Sequence, residues 1–198
     1  MIHTVDDTYN IHICIAHYNE DLTWTKYLNT PYSIISKHGI EYDVVPNRGN
    51  EASSYLKYII DNYEQLPDFV FFVHGHETSN HQTGKTQDII NTTINIITDS
   101  TRYLDINGCQ LNLRNFPTSY TKFLEFIPIY NSIIKKKQLT ENDIIYWASA
   151  QFCVNKDAIL SNSKEVYENF YNYLMTTNEA SFWTGRYFEY TWGHIFSY

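Results

Sequence analysis

The residues best equipped for chemistry stand at the end of an apolar run. Phe69 to Val73 is apolar at every position and leads directly into His74-Gly75-His76-Glu77. Side chains at i and i+2 point the same way while a chain stays extended, so His74 and His76 could share one ligand or one metal ion, with Glu77 or His81 nearby. Gly75 between them would let backbone or ligand approach closely. The plainer alternative is a glycine turn carrying two surface histidines. Asn47-Arg48-Gly49 joins a strand end to a helix start, where free backbone N–H groups favour anions and Arg48 could add a bidentate contact to a diphosphate. Asn and Gly are also ordinary turn residues. His17-Tyr18-Asn19-Glu20-Asp21 places two carboxylates after another apolar run, suited to holding a base, a ribose or a proton in transfer, or simply to starting a helix. Near the C-terminus, Arg186 and Glu189 lie three apart, and Glu189, Trp192 and Phe196 are spaced to share a helix face. His194 is a further candidate ligand or phosphate contact.

These groups need elements that bring them together. Ile11 to Ala16, Tyr32 to Ser36, Tyr42 to Val45 and Phe69 to Val73 read as strands. A helix-like segment follows Asp21 through about Leu28, and His38-Gly39 marks a turn. From Asn50 or Glu51 to Tyr63, the residues Ala52, Tyr55, Leu56, Ile59 and Ile60 recur at helical spacing. Phe69 to Val73, apolar on both faces, predicts a central strand of a largely parallel sheet. In such sheets ligands bind just outside the carboxyl ends of the strands, where the histidines, the Asn-Arg-Gly turn and the Tyr-Asn-Glu run all fall. The second half is less regular. Thr86 to Ile97 and Lys164 to Met175 read as helices, Leu104 to Pro117 as loop with short strands, Phe123 to Lys136 as a helix broken near Pro128, and Ile144 to Val154 as one buried strand segment. The expected architecture is a single α/β domain over residues 1–198, a mostly parallel central sheet flanked by helices.

Composition narrows the function classes. A net charge of -8 argues against nonspecific nucleic-acid binding, which needs a basic face. The one basic run, Lys135-Lys136-Lys137, fits a helix end or a solvated loop. Of the three cysteines, Cys14 and Cys153 fall in apolar runs and Cys109 does not, with no CxxC spacing among them; Cys14 and Cys153 are expected to be buried free thiols of a reducing compartment. A polar, acidic stretch from Met1 to Asn10 argues against a secretory signal, and no apolar run approaches the length of a membrane span, so a cytoplasmic protein is expected. Ser-His-Asp order, Walker loop, GxGxxG and HExxH are all absent, which disfavours hydride transfer and P-loop phosphoryl transfer.

An ordered series of segments resembles the family known as domain of unknown function 3431. It comprises Tyr18-Asn19-Glu20-Asp21 with Trp24, then Pro46-Asn47-x-Gly49-x-Glu51-Ala52 with Tyr55-Leu56, and Ile59-Ile60-Asp61-Asn62-Tyr63 with Leu66-Pro67-Asp68. His74-Gly75-His76, Ala150-Gln151-Phe152, and Gly185-Arg186 with Glu189 and Trp192 complete it. The family's pattern often has His directly after the final Trp, whereas here Gly193 precedes His194. The layout is similar to the nucleotide-binding half of GT-A glycosyltransferases, whose first strand leads into Tyr-Asn-Glu and whose Asn-x-Gly turn precedes a helix with a nearby Ala. In that class the next strand ends in Asp-x-Asp, which holds a divalent metal on the sugar diphosphate; here His74-Gly75-His76 fills the slot.

The resemblance implies a GT-A-like, Rossmann-related domain, with residues 1–80 as the nucleotide-binding half and 81–198 on the acceptor side. It implies transfer of a sugar from a nucleotide-sugar donor to a glycan or other hydroxyl acceptor. Tyr18, Asn19 and Glu20 would hold the nucleoside, Asn47, Arg48 and Gly49 would line the donor pocket, and Arg186 would help to stabilise the diphosphate. His74, His76 and His194 would serve the diphosphate or a metal, for which Mn²⁺ suits imidazole better than Mg²⁺ does. Glu77 and Glu189 are both candidates for the base. A metal-dependent hydrolase built on His74 and His76, or a noncatalytic glycan-binding module exploiting the 17% aromatic content, are the alternatives.

Overall fold

The computed structural model describes residues 9–38, 42–107, 111–143, 146–147 and 150–196. The apolar runs become strands β1 (Ile11–His17), β2 (Tyr32–Ser36), β3 (Asp43–Val44) and β4 (Phe69–His74). A 3-10 turn, Thr23–Tyr27, separates β1 from β2, and helix α1 (Ala52–Asn62) connects β3 to β4. Beyond β4 lie α2 (Thr86–Ile94), β5 (Tyr103–Asp105), β6 (Leu111–Asn112), α3 (Pro117–Ile133), β7 (Tyr146–Trp147), β8 (Phe152–Asn155), α4 (Lys156–Leu160), α5 (Lys164–Thr176) and α6 (Ser181–Phe196).

Six strands form one sheet in the order β3-β2-β1-β4-β8-β5. The first four run parallel, whereas β8 pairs antiparallel with β4 and β5 antiparallel with β8. The expectation of a mostly parallel α/β sheet thus holds, with an antiparallel edge added. Direction was not legible for β8, because a strand buried on both faces shows no alternation to orient it. The run expected as one strand over 144–154 is two: β7 pairs with β6 in a separate small sheet, and β8 joins the main one.

The period-2 geometry of β1 and β4 sorts their side chains into two cores. Cys14, Ala16, Val70 and Phe72 face α1, α5 and α6, meeting Tyr55, Phe170, Phe188 and Trp192. Ile13, Ile15, Phe71 and Val73 face the other way, against Trp24 and Ile90 of α2. Both flanks are covered, which is why the buried runs 13–16 of β1 and 69–73 of β4 are apolar. Cys14 and Cys153 are buried free thiols, as expected; Cys109 lies outside the described residues.

Two helices depart from expectation. The segment expected to break near Pro128 is one helix that starts earlier, with Pro117 in its first turn, where no N–H is needed. It continues through Pro128 because Phe123, Phe126 and Tyr130, on both sides of the proline, are all buried in the core. Burial of three aromatic rings outweighs the roughly 3 kcal/mol that an interior proline costs. Helix α2 ends at Ile94 rather than Ile97.

One buried polar bond ties the second core to the sheet's functional edge. Trp24, 2% exposed, donates its indole N–H to the Gly75 carbonyl at 2.7 Å. Trp24→Phe keeps an aromatic ring there but orphans that carbonyl, which should cost at least about 1–3 kcal/mol in urea unfolding. A midpoint equal to that of the unmodified protein would show that this bond contributes nothing.

Candidate functional site

The parallel order β3-β2-β1-β4 reverses direction between β1 and β4, and a ligand crevice is expected at such a switch point. A cleft of about 730 Å³ opens there. Each of the four parallel strands supplies residues at or just past its carboxyl end: Ala16, His17, Tyr18 and Glu20 from β1, Lys37 from β2, Asn47, Asn50 and Glu51 from β3, and His74, His76 and Thr78 to His81 from β4.

The floor is organised around Gly75. Its N–H donates to the Ala16 carbonyl at 2.8 Å, extending the β1–β4 pairing by one residue, and its carbonyl takes the Trp24 indole. A Cβ on Gly75 would lie 2.8 Å from Oε2 of Glu20, so this position requires glycine. Glu20 is held in turn by the backbone: its Oε2 accepts the N–H of Tyr18 at 2.6 Å and that of Asn19 at 3.2 Å. Its Oε1 lies 3.5 Å from Nε2 of His76. Glu20 therefore locks the turn after β1 onto the turn after β4. Tyr18 remains 41% exposed at the rim, its ring tilted on His38 with centroids 4.4 Å apart.

The segment after β4 rests on an amide network. Gln151 accepts the His74 N–H at 3.1 Å and donates to Asn107 at 2.9 Å and to Gln82 at 3.0 Å. Gln82 reaches back to the Glu77 carbonyl and to Thr86, whose hydroxyl caps the His76 carbonyl at 2.8 Å. His74, His76 and His81 cluster on this support, with ring centroids 6.4 Å apart for the first pair and 5.4 Å for His74 and His81. Burial, and then the neighbouring His81 and His76, pull the His74 pKa down to about 3. His81 is lowered for the same first reason, with His76 adding to it. Among the described residues no three His, Cys, Asp or Glu side chains are arranged to hold a metal ion.

The opposite wall carries a charged cluster. Gly49 and Asn50 both adopt positive φ, 63° and 49°. This tight turn presses against two helices: a Cβ at Gly49 would meet Leu174 of α5 at 2.7 Å, and one at Gly185 of α6 would meet Asn50 at 2.5 Å. The turn delivers Glu51 to the start of α1, within electrostatic reach of Lys37, Arg186 and Glu189. Burial, followed by the charge of Glu189, pushes the Glu51 carboxyl far above the ordinary carboxylate range, against the pull of Lys37 and Arg186. Burial likewise lowers Lys37 to about 8, with Glu51 opposing. The Lys37 ammonium also donates to Ser53 and to the Pro46 carbonyl.

The expected site residues divide accordingly. Tyr18, Glu20, Asn47, His74 and His76 line one cleft, and Glu189 and Arg186 act electrostatically on its Glu51. Asn19 contributes its N–H to Glu20, and Gly49 shapes the turn. Arg48 reaches away to the Thr177 carbonyl at 3.4 Å, a brace outside the lining. Glu77 also stands outside it, its carboxylate engaged by Lys85 at 2.9 Å and Gln87 at 3.2 Å. His194 lies elsewhere, against Tyr130 in a separate cavity with Lys136 and Lys137; burial and then Lys137 lower its pKa to about 4. The pairing of His194 with His74 and His76 is thus not what the fold builds.

Residues 13–198 match the family model described as a protein of unknown function, DUF3431. The chain belongs to that family. No curated protein and no solved structure matches it. The family's segments converge here: Gly185, Arg186 and Glu189 of α6 are brought to the Asn47-to-Glu51 turn, and Gln151 supports His74. Two charged lining residues escaped the reading of the residues. Lys37 follows β2 as Tyr18 follows β1, and the strand-end rule alone would have found it. Glu51 was seen only as part of the family pattern and as a helix start.

A histidine held neutral in the fold and free to protonate when unfolded favours the folded state fully above pH 6.5, and that advantage is lost as pH falls from 6.5 toward 3. The thermal midpoint should therefore drop less between pH 7 and pH 4 in His74→Gln than in the unmodified protein. Equal drops would show that His74 protonates as readily in the fold as outside it.

Proposed function

We propose that this chain is a glycosyltransferase that takes a sugar from a nucleotide-sugar donor and passes it to a hydroxyl acceptor, binding the donor in the cleft between β1 and β4. The observation that carries this reading is the position of the cleft: it lies at the switch point of a parallel sheet and draws residues from all four parallel strand ends. Its volume of about 730 Å³ falls in the range of small-molecule and cofactor sites. Tyr18, with its ring open at the rim, suits stacking on a nucleobase, and Asn47 offers amide hydrogen bonds to base or ribose. Lys37 is the cation of the lining and suits the diphosphate, whose charge must be stabilised as it leaves. His74 contributes a neutral imidazole at the floor, and His76 stands beside Glu20. No described helix is long and apolar enough to cross a membrane, which is compatible with a donor supplied from water.

Thermal unfolding against a panel of nucleoside diphosphates and nucleotide sugars tests the proposal. One nucleotide class should raise the midpoint selectively; saturation at about a hundred times the dissociation constant adds roughly 2.7 kcal/mol, a few degrees at this chain length. The shift should shrink in Lys37→Ala but not in Lys136→Ala, which alters the separate cavity. A panel without any shift would contradict the proposal.

A further inference from the structure

We propose that Glu51 is the catalytic base of this cleft and that Glu189 is a positioning residue that acts through it. The inference rests on the transferase reading and assigns the proton transfer that such a reaction needs. Of the carboxylates near the site, Glu20 is spent on two backbone N–H groups and His76, and Glu77 on Lys85 and Gln87 outside the lining. Glu51 lines the cleft on the wall opposite the histidines. It is delivered there by a turn with two successive positive-φ residues, wedged against α5 and α6 so closely that neither Gly49 nor Gly185 has room for a Cβ. That packing fixes the backbone from which the Glu51 side chain reaches the cleft.

Charged and titratable groups surround Glu51 from every packed element. Glu189 and Arg186 come from α6, and Lys37 from the end of β2. Tyr55 lies one turn further along α1, with a buried hydroxyl that has no hydrogen-bond partner among the described residues and feels the charge of both Glu51 and Glu189. Glu20 and the histidines His17, His74 and His76 line the remaining walls. The charge of Glu189 adds to burial in making Glu51 hold its proton to higher pH than a lone carboxyl would. In a single displacement, the acceptor hydroxyl gives its proton to the ionised Glu51 carboxylate as its oxygen bonds to the anomeric carbon. The bond from that carbon to the diphosphate oxygen breaks, and the electron pair stays on the departing nucleoside diphosphate beside Lys37.

Because the base must be ionised, transfer should rise with pH, following a pKa that burial and Glu189 both raise. Three proteins would be compared, the unmodified chain, Glu51→Gln and Glu189→Gln, with the nucleotide sugar that shifts the thermal midpoint. Release of nucleoside diphosphate would be followed from pH 6 to 9, and the glutamate carboxyls titrated by carbon-13 NMR. Glu51→Gln should lose roughly 10²–10⁴-fold in turnover while still binding donor. Glu189→Gln should keep the high-pH plateau but move the rising limb about one unit lower, as removal of a neighbouring negative charge demands. Turnover that survives Glu51→Gln, or a Glu189→Gln protein that is inactive or whose rising limb is unmoved, would overturn the assignment alone. If no nucleotide sugar binds, the transferase reading and the assignment fall together, and the NMR titration still shows whether Glu51 and Glu189 share a proton.

Discussion

Gly75 is the joint on which the candidate site depends. Three groups converge on this residue: the Ala16 carbonyl at its N–H, the Trp24 indole at its carbonyl, and the Glu20 carboxylate where a side chain would be. Each partner belongs to the segment running from β1 into the 3-10 turn, so the chain leaving β4 is bound to the chain leaving β1 on all sides. A glycine is required, and so is a parallel register that sets the two strand ends level. The cleft floor inherits its rigidity from those two conditions, and the positions of His74 and His76 follow.

The second wall is built by different physics. Beyond the end of β3, a tight left-handed turn is held between α5 and α6 by contact with Leu174 and Gly185. The residues near the C-terminus thereby reach a site whose other parts lie in the first 81 residues. The buried aromatic stack of Tyr55, Phe152, Phe188 and Trp192 sets where α6 lies over the sheet, and so where Glu189 and Arg186 fall. Aromatic packing far from the cleft thus determines the electrostatics inside it.

Much of this was legible in the residues. Strands β1, β2 and β4 and helices α1 and α5 follow from apolar periodicity, because each has a buried face that repeats at its own period. What was not legible depends on contacts distant in sequence. Pro128 suggests a break, yet the burial of Phe123, Phe126 and Tyr130 carries α3 through it. The antiparallel placement of β8 leaves no mark in a run that is apolar on both faces. The same holds for the site. Residues just past strand ends were recognisable by type, as Tyr18, Glu20, His74 and His76 were. The diversion of Arg48 to Thr177 and of Glu77 to Lys85, and the separation of His194 from the other histidines, depend on side-chain directions that spacing does not encode.

The central claim is that ligand enters at the carboxyl edge between β1 and β4. Amide NMR of the labelled protein, titrated in turn with uridine, guanosine and thymidine diphosphates, tests it most directly. The account predicts that one of them perturbs residues 16–20, Lys37, 47–51 and 74–81 as a connected set. Perturbations centred instead on Lys136, Lys137 and His194, or on Asp68 and Lys156 at the opposite edge of the sheet, would contradict it.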